Sequence, residues 1–200
     1  MLKRTFDLLV SGTTLVLFSP VLAVLALIVR LESPGPVFFR QPRVGRDGKI
    51  FDIFKFRTMR VVPQEDPRSA APVPDVSDFG SYVFDPLYGG KKYTRIGHLL
   101  RSTSLDELPN LINVLRGDMS IIGPRPEVPE LVEQYKPEFH RRHNVKPGLT
   151  GLAQVSGRGL LTYEEMMDYD LQYVDEHSFV SDLTILARTL PTVLSRKGAR

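Results

Sequence analysis

The chain has 200 residues, 42% hydrophobic and 24% charged, enough for one ordinary domain that buries roughly 70% of its unfolded surface. It contains no cysteine, which excludes disulfides and thiolate metal sites and fits a cytosolic compartment. A net charge of +3, from 26 basic and 23 acidic residues, suits an anionic membrane surface or phosphorylated substrates and is too small to argue for nucleic acid.

Residues 8–29 carry no charge, and as a helix these 22 positions would reach about 33 Å, close to the roughly 30 Å of a bilayer's hydrocarbon. The run is long for a signal peptide, and no small-residue cleavage site follows it cleanly. Ser19-Pro20 lies in its middle, where proline removes a backbone donor and kinks a helix. Lys3 and Arg4 precede the run, and Arg30, Arg40, Arg43 and Arg46 follow it. Positive residues prefer the cytoplasm, and here they flank both ends. The residues alone leave two readings open. One is a kinked span; the other is a helix that enters from the cytoplasmic face, breaks at Ser19-Pro20 and returns.

Ser33-Pro34-Gly35-Pro36 stops the helix. Residues 37–41 and 50–57 read as strands around a turn at 46–49, so 36–58 is expected to be a hairpin with Lys55 and Arg57 on one face. Residues 61–93, punctuated by Pro63, Pro67, Pro72 and Pro74, read as an insertion, either a lid or contact loop or a plain surface loop. Helical patterns follow. Ile96, Leu99 and Leu100 share a face, as do Leu108, Leu111, Ile112 and Leu115 before Gly117. Further helices are expected over 129–142, interrupted at Pro137, over 163–177 and over 181–194. The last would pack on the core or lie in a membrane interface.

Three segments can carry chemistry. In residues 101–110 (Arg-Ser-Thr-Ser-Leu-Asp-Glu-Leu-Pro-Asn), Ser104 and Glu107 have capping-box spacing. Asp106 and Glu107 would then offset a helix dipole. The same dipole would keep Asp106 ionised, as a nucleophile toward phosphorus requires, and a neighbouring carboxylate suits Mg²⁺. Gly123-Pro124-Arg125-Pro126 presents one arginine from a rigid turn, and arginine matches phosphate oxygens in bidentate fashion. Residues 146–158 are glycine-rich and end in Arg158. Gly148, Gly151 and Gly157 would allow close backbone approach to a phosphate, although the pattern is neither a Walker loop nor a dinucleotide fingerprint. His140 and His143 sit among Arg141, Arg142 and Lys146, a poor setting for a metal cation.

Together these pieces resemble the bacterial sugar transferases, the monotopic phosphoglycosyl transferases. The resemblance runs almost end to end. It covers Ser19-Pro20, residues 54–59 (Phe-Lys-Phe-Arg-Thr-Met), 101–110, 113–120, Gly123 to Pro126 and 146–158, then Tyr169-Asp170, Tyr173-Val174, Asp182 and Gly198-Ala199. It implies an α+β fold in which a re-entrant membrane helix, residues 1–32, broken at Ser19-Pro20, precedes a catalytic domain, residues 33–200. A small hairpin and several interfacial helices would surround a site on the cytoplasmic face of the bacterial inner membrane. The implied reaction moves a sugar 1-phosphate from a UDP-sugar to undecaprenyl phosphate. Asp106 would be the nucleophile and Glu107 would help hold Mg²⁺. Arg101 would contact phosphate, and Arg125 and Arg158 the diphosphate or nucleotide, with Lys55 and Arg57 as further basic contacts. The 61–93 segment is longer than in the most minimal members, as a donor-shaping element or a homodimer contact. Without the extra transmembrane helices of longer relatives, the chain reads as a catalytic core, complete or excised from something larger.

Overall fold

In the computed structural model, which describes residues 1–60, 93–157 and 160–194, seven helices and two small two-stranded sheets surround three apolar clusters. Helix α1 (Leu2–Glu32) is long and apolar enough to enter a membrane. The helix continues through Pro20. Proline cannot donate to the Val16 carbonyl one turn back, and the Ser19 hydroxyl donates to that oxygen instead, at 2.8 Å.

Both ends of α1 dock on the same body. At the start, Lys3 Nζ donates to Asp182 Oδ2 at 2.6 Å and to the Ile122 carbonyl at 3.0 Å. Arg4 donates to the Val114 and Leu115 carbonyls, and buried Asp7 accepts from Ser120 Oγ and Ile121 N. At the other end, Val29 is buried with Phe56 and Leu100, each worth roughly 1.5–3 kcal/mol of burial. The Glu32 carboxylate accepts from Arg95 N and Ile96 N. Between the ends, Val16, Leu17, Val21, Val24 and Leu27 stand exposed.

Strands β1 (Phe38–Val44) and β2 (Ile50–Phe56) form the expected hairpin, antiparallel, with Phe39 opposite Lys55 and Arg43 opposite Phe51. Period-two alternation therefore puts Gln41, Arg43, Ile53 and Lys55 on one face. The free edge of β2 is closed by side chains. Asn110 Oδ1 and Asn113 Oδ1 both accept from Phe54 N, and Asn113 Nδ2 donates to the Asp52 carbonyl at 2.7 Å. Buried asparagines thus replace a third strand, satisfying backbone groups that burial would otherwise penalise.

Helix α2 (Arg95–Ser102), capped by Thr94, leads into a 3₁₀ turn, Leu105–Asn110, and then α3 (Leu111–Arg116). Gly117 ends α3 in the left-handed region at φ 95°, as its place after the apolar run predicts. Strand β3 (Ser120–Ile122) pairs in parallel with β4 (Gly148–Thr150), a sheet that no alternation in the sequence announces. The stretch expected as one interrupted helix is instead α4 (Pro129–Val132) followed by a 3₁₀ turn, Pro137–Asn144. Helices α5 (Leu152–Ser156), α6 (Tyr163–Glu176, with a Thr162–Glu165 capping box) and α7 (Phe179–Leu194) complete the body.

The glycine-rich segment has a different use from the one expected. A Cβ on Gly148 would lie 2.1 Å from Gly123 N, and one on Gly151 would lie 2.2 Å from Gly123 O. These glycines let two stretches of backbone touch, fastening β4 to the loop that carries Arg125, rather than opening a phosphate cradle. Of the 61–93 insertion only Tyr93 is described, in an antiparallel bridge with Met59; residues 61–92, Arg158 and 195–200 lie outside the described residues.

Candidate active site

Three elements converge on Asp106 and Glu107. The 3₁₀ turn presents both carboxylates, β2 brings Lys55 and the loop after β3 brings Arg125. Lys55 Nζ donates to Glu107 Oε1 at 2.8 Å, and Arg125 Nη2 donates to the same oxygen at 2.9 Å. Arg101, at the end of α2, has its guanidinium 5.5 Å from the Tyr93 ring centroid and acts electrostatically on Asp106. Four of the expected residues, Lys55, Arg101, Arg125 and Glu107, thus gather around Asp106.

The capping-box expectation does not hold. Ser104 occupies the N-cap position with φ 58°, and its side chain makes no capping bond. Glu107 turns instead to Lys55 and Arg125. Nor does a helix dipole hold Asp106 below the usual carboxylate range. Burial, reinforced by the neighbouring Glu107 charge, pushes the Asp106 carboxyl up to about 6, against the pull of Lys55, Arg101 and Arg125. Burial acts on Glu107 in the same sense but is outweighed by Arg125 and Lys55, which hold it well below the usual carboxylate range. Two adjacent carboxylates are therefore driven apart: Glu107 is a fixed anion, while Asp106 changes charge near pH 6. No group among the described residues donates a hydrogen bond to the Asp106 carboxylate.

Arg57 is not brought to this site. Just past the end of β2 at Phe56, the buried Arg57 guanidinium donates to the carbonyls of Val29, Ser33 and Pro34. It fastens the C-terminal end of α1. Ser19 and Pro20 lie exposed in the middle of α1, far along the helix from its docked ends.

Arg43 went unassigned in the sequence as a site residue, though the hairpin register alone would place it on the Lys55 face. Arg43 donates to the Pro126 carbonyl at 3.1 Å, to Gln41 Oε1 at 2.7 Å and more loosely to buried Glu127 at 3.5 Å. The Arg125 loop is held residue by residue. The carbonyl of Ile122 accepts from Lys3 and Tyr173, that of Pro124 from Gly148 N, that of Arg125 from Arg142, that of Pro126 from Arg43 and that of Glu127 from Val44 N. Such a loop needs no reorganisation to hold its arginine in place.

The described residues contain no ready-made cage of three or more metal-ligating side chains. Two adjacent carboxylates do fit a Mg²⁺ ion that takes most of its remaining oxygens from water and substrate phosphates. Lys55 and Arg125 both take Oε1 of Glu107, which among the described residues leaves Oε2 for such a role.

The model of the family described as bacterial sugar transferase matches residues 1–196. The UDP-glucose:undecaprenyl-phosphate glucose-1-phosphate transferase of Caulobacter vibrioides is 42% identical over 98% of this chain and 71% of its own length. The protein of the same name from Escherichia coli is 42% identical over 95% of this chain, but over 39% of its own greater length. The exopolysaccharide production protein ExoY of Rhizobium meliloti is 37% identical over 100% of this chain and 88% of its own.

Proposed function

This chain belongs to the bacterial sugar transferase family, and we propose that it moves a sugar 1-phosphate from a UDP-sugar to undecaprenyl phosphate, releasing UMP. The observation that carries the reading is Asp106, whose carboxylate accepts no hydrogen bond from any described residue, set among Lys55, Arg101 and Arg125 beside a Glu107 that Arg125 and Lys55 hold ionised. The names of the relatives supply the substrate class.

In this mechanism an Asp106 carboxylate oxygen attacks the phosphorus next to the sugar. The bond from that phosphorus to the UMP oxygen breaks, and UMP leaves with the electron pair. A phosphosugar-aspartyl intermediate remains. A phosphate oxygen of undecaprenyl phosphate then attacks the same phosphorus, and the aspartyl oxygen departs, restoring the carboxylate. Each displacement needs charge neutralisation more than proton shuttling, which Lys55, Arg101 and Arg125 provide. Glu107 pins two of these cations and would help hold Mg²⁺; the ion, when bound, would offset charge on the donor's diphosphate. A covalent step lets one site serve a soluble donor and a lipid acceptor in turn.

The docking of α1 supports a re-entrant helix. Its first turn and its last turn both fasten to one body, as suits a helix that enters and leaves the same face of a bilayer. The exposed apolar middle would lie in the lipid, with Ser19-Pro20 at the turning point and the catalytic body on the cytoplasmic face of the inner membrane. The acceptor's phosphate then lies at the depth of the site.

The test is nucleotide release from a panel of UDP-sugars, in nanodiscs with undecaprenyl phosphate, with Mg²⁺ and after chelation. UMP release that requires Asp106 and is lost on chelation is expected. Release of UDP would point to a glycosyltransferase that leaves the phosphate behind, and silence over the whole panel to a non-catalytic scaffold.

A further inference from the structure

Behind the site lies a second ion pair that the reaction itself does not use. Arg142, in the 3₁₀ turn before β4, and Asp170, on α6, are both almost completely buried and form a salt bridge through Arg142 Nη2. The same Nη2 donates at 2.7 Å to the backbone carbonyl of Arg125, and Nη1 donates to the Tyr135 hydroxyl. Tyr135 is in turn bonded to the Tyr163 hydroxyl.

This pair is poorly explained as a stabilising device. Arg142 Nε and Asp170 Oδ1 are buried without a hydrogen-bond partner. A buried pair with unsatisfied atoms is often no more stable than apolar residues of the same size. Its one consequence at the site is that it fixes the backbone of the residue whose guanidinium holds Glu107. Arg142 cannot keep that position without an anion, because an uncompensated guanidinium is not tolerated in the interior.

We propose that Asp170 is a positioning residue for Arg125, acting through Arg142: the carboxylate orients the buried guanidinium, which clamps the Arg125 carbonyl and so aims the Arg125 side chain at Glu107 and the donor's diphosphate. The role rests on the phosphosugar-transfer reading above. Asp170 touches neither substrate nor reacting atom, so its whole effect on the chemistry passes through Arg125.

That last property makes the test. The first half-reaction is isolated by exchange of labelled UMP into each UDP-sugar of the panel, using the full chain in nanodiscs without lipid acceptor. Asp170→Asn is expected to slow exchange about 10- to 100-fold, the cost of a small misplacement of a catalytic group, while KM for undecaprenyl phosphate in the complete reaction stays unchanged. Arg125→Gln is expected to slow exchange at least as much, and the Asp170→Asn/Arg125→Gln double variant no further than Arg125→Gln alone. Effects that multiply would overturn the proposal, since a merely structural Asp170 acts independently of Arg125. If Asp170→Asn does not fold, Tyr135→Phe, which removes one hydrogen bond from Arg142 at constant shape, enters the same cycle with the same expected absorption. Absence of exchange in the wild-type enzyme is a separate outcome: it removes the phosphosugar reading and this role with it, whereas multiplicative effects in an active enzyme remove only the role.

Discussion

Asp106 and Asp170 invite comparison, because burial pushes both carboxyls up to about 6 and yet their surroundings are opposite. Asp170 faces Arg142 and shares a salt bridge sealed from solvent. Asp106 faces another carboxylate, and the cations nearest to it are already committed, two of them to Glu107. The first arrangement spends its carboxylate on orientation. The second leaves a carboxylate to which no described residue donates, as an attacking group needs. Equal pKa values therefore do not mean equal roles; what separates the two is the partner each carboxylate has.

The sharpest way to break this comparison is to neutralise each aspartate in turn. Asp106→Asn is expected to reduce UMP release by about a thousandfold or more, the loss expected when a covalent nucleophile goes, with the fold intact by circular dichroism. A comparable residual rate in Asp106→Asn and Asp170→Asn would erase the distinction.

A smaller but more diagnostic effect is expected at Glu107. In the wild type, Asp106 is protonated below about pH 6, so the rate of the first half-reaction should rise with pH through that value. Glu107→Gln removes the neighbouring negative charge and frees Lys55 and Arg125 to act on Asp106. Both changes lower the Asp106 pKa, so the acid limb should move to lower pH while the plateau rate falls roughly 100-fold for want of organised cations. An acid limb that stays near 6 or climbs would show that Glu107 does not set the charge of Asp106.

Arg57 tests the boundary of the site. It and Lys55 are two residues apart, yet only Lys55 reaches Glu107. Arg57→Gln is expected to cost about 1–3 kcal/mol of stability, because carbonyls at the end of α1 lose their donor, with kcat/KM for the UDP-sugar within about twofold of wild type. A large rise in KM at unchanged stability would return Arg57 to the substrate. The smallest effect is expected at the Thr162 cap of α6, where Thr162→Ala should cost about 1 kcal/mol in a denaturant titration and leave the pH profile untouched.

Local pattern was enough for the apolar helix, the hairpin with its turn at 46–49, the Gly117 stop and the two C-terminal helices, because each depends on periodicity or on backbone preferences within a few residues. The acidic pair, too, was legible, since Asp106 and Glu107 are neighbours in the chain and Lys55, Arg101 and Arg125 lie in segments with a recognisable pattern. What each carboxylate does was not legible. Ser104 and Glu107 have the spacing of a capping box, and only the approach of β2 and of the Arg125 loop draws Glu107 away from the cap. The separate fates of Lys55 and Arg57 depend on where β2 ends against α1, a packing decision. The glycines of 146–157 could be read as a phosphate cradle until Gly123 was seen lying against Gly148 and Gly151. The roles of Arg43, Arg142 and Asp170 were not legible in a one-dimensional pattern, because Arg43 meets Glu127 and Arg142 meets Asp170 across 84 and 28 residues. Composition and periodicity thus determined which elements form and which residues carry charge. The tertiary structure decided which charges meet, because a carboxylate's pKa and reactivity depend on burial and on neighbours within a few ångströms, and only folding brings those together.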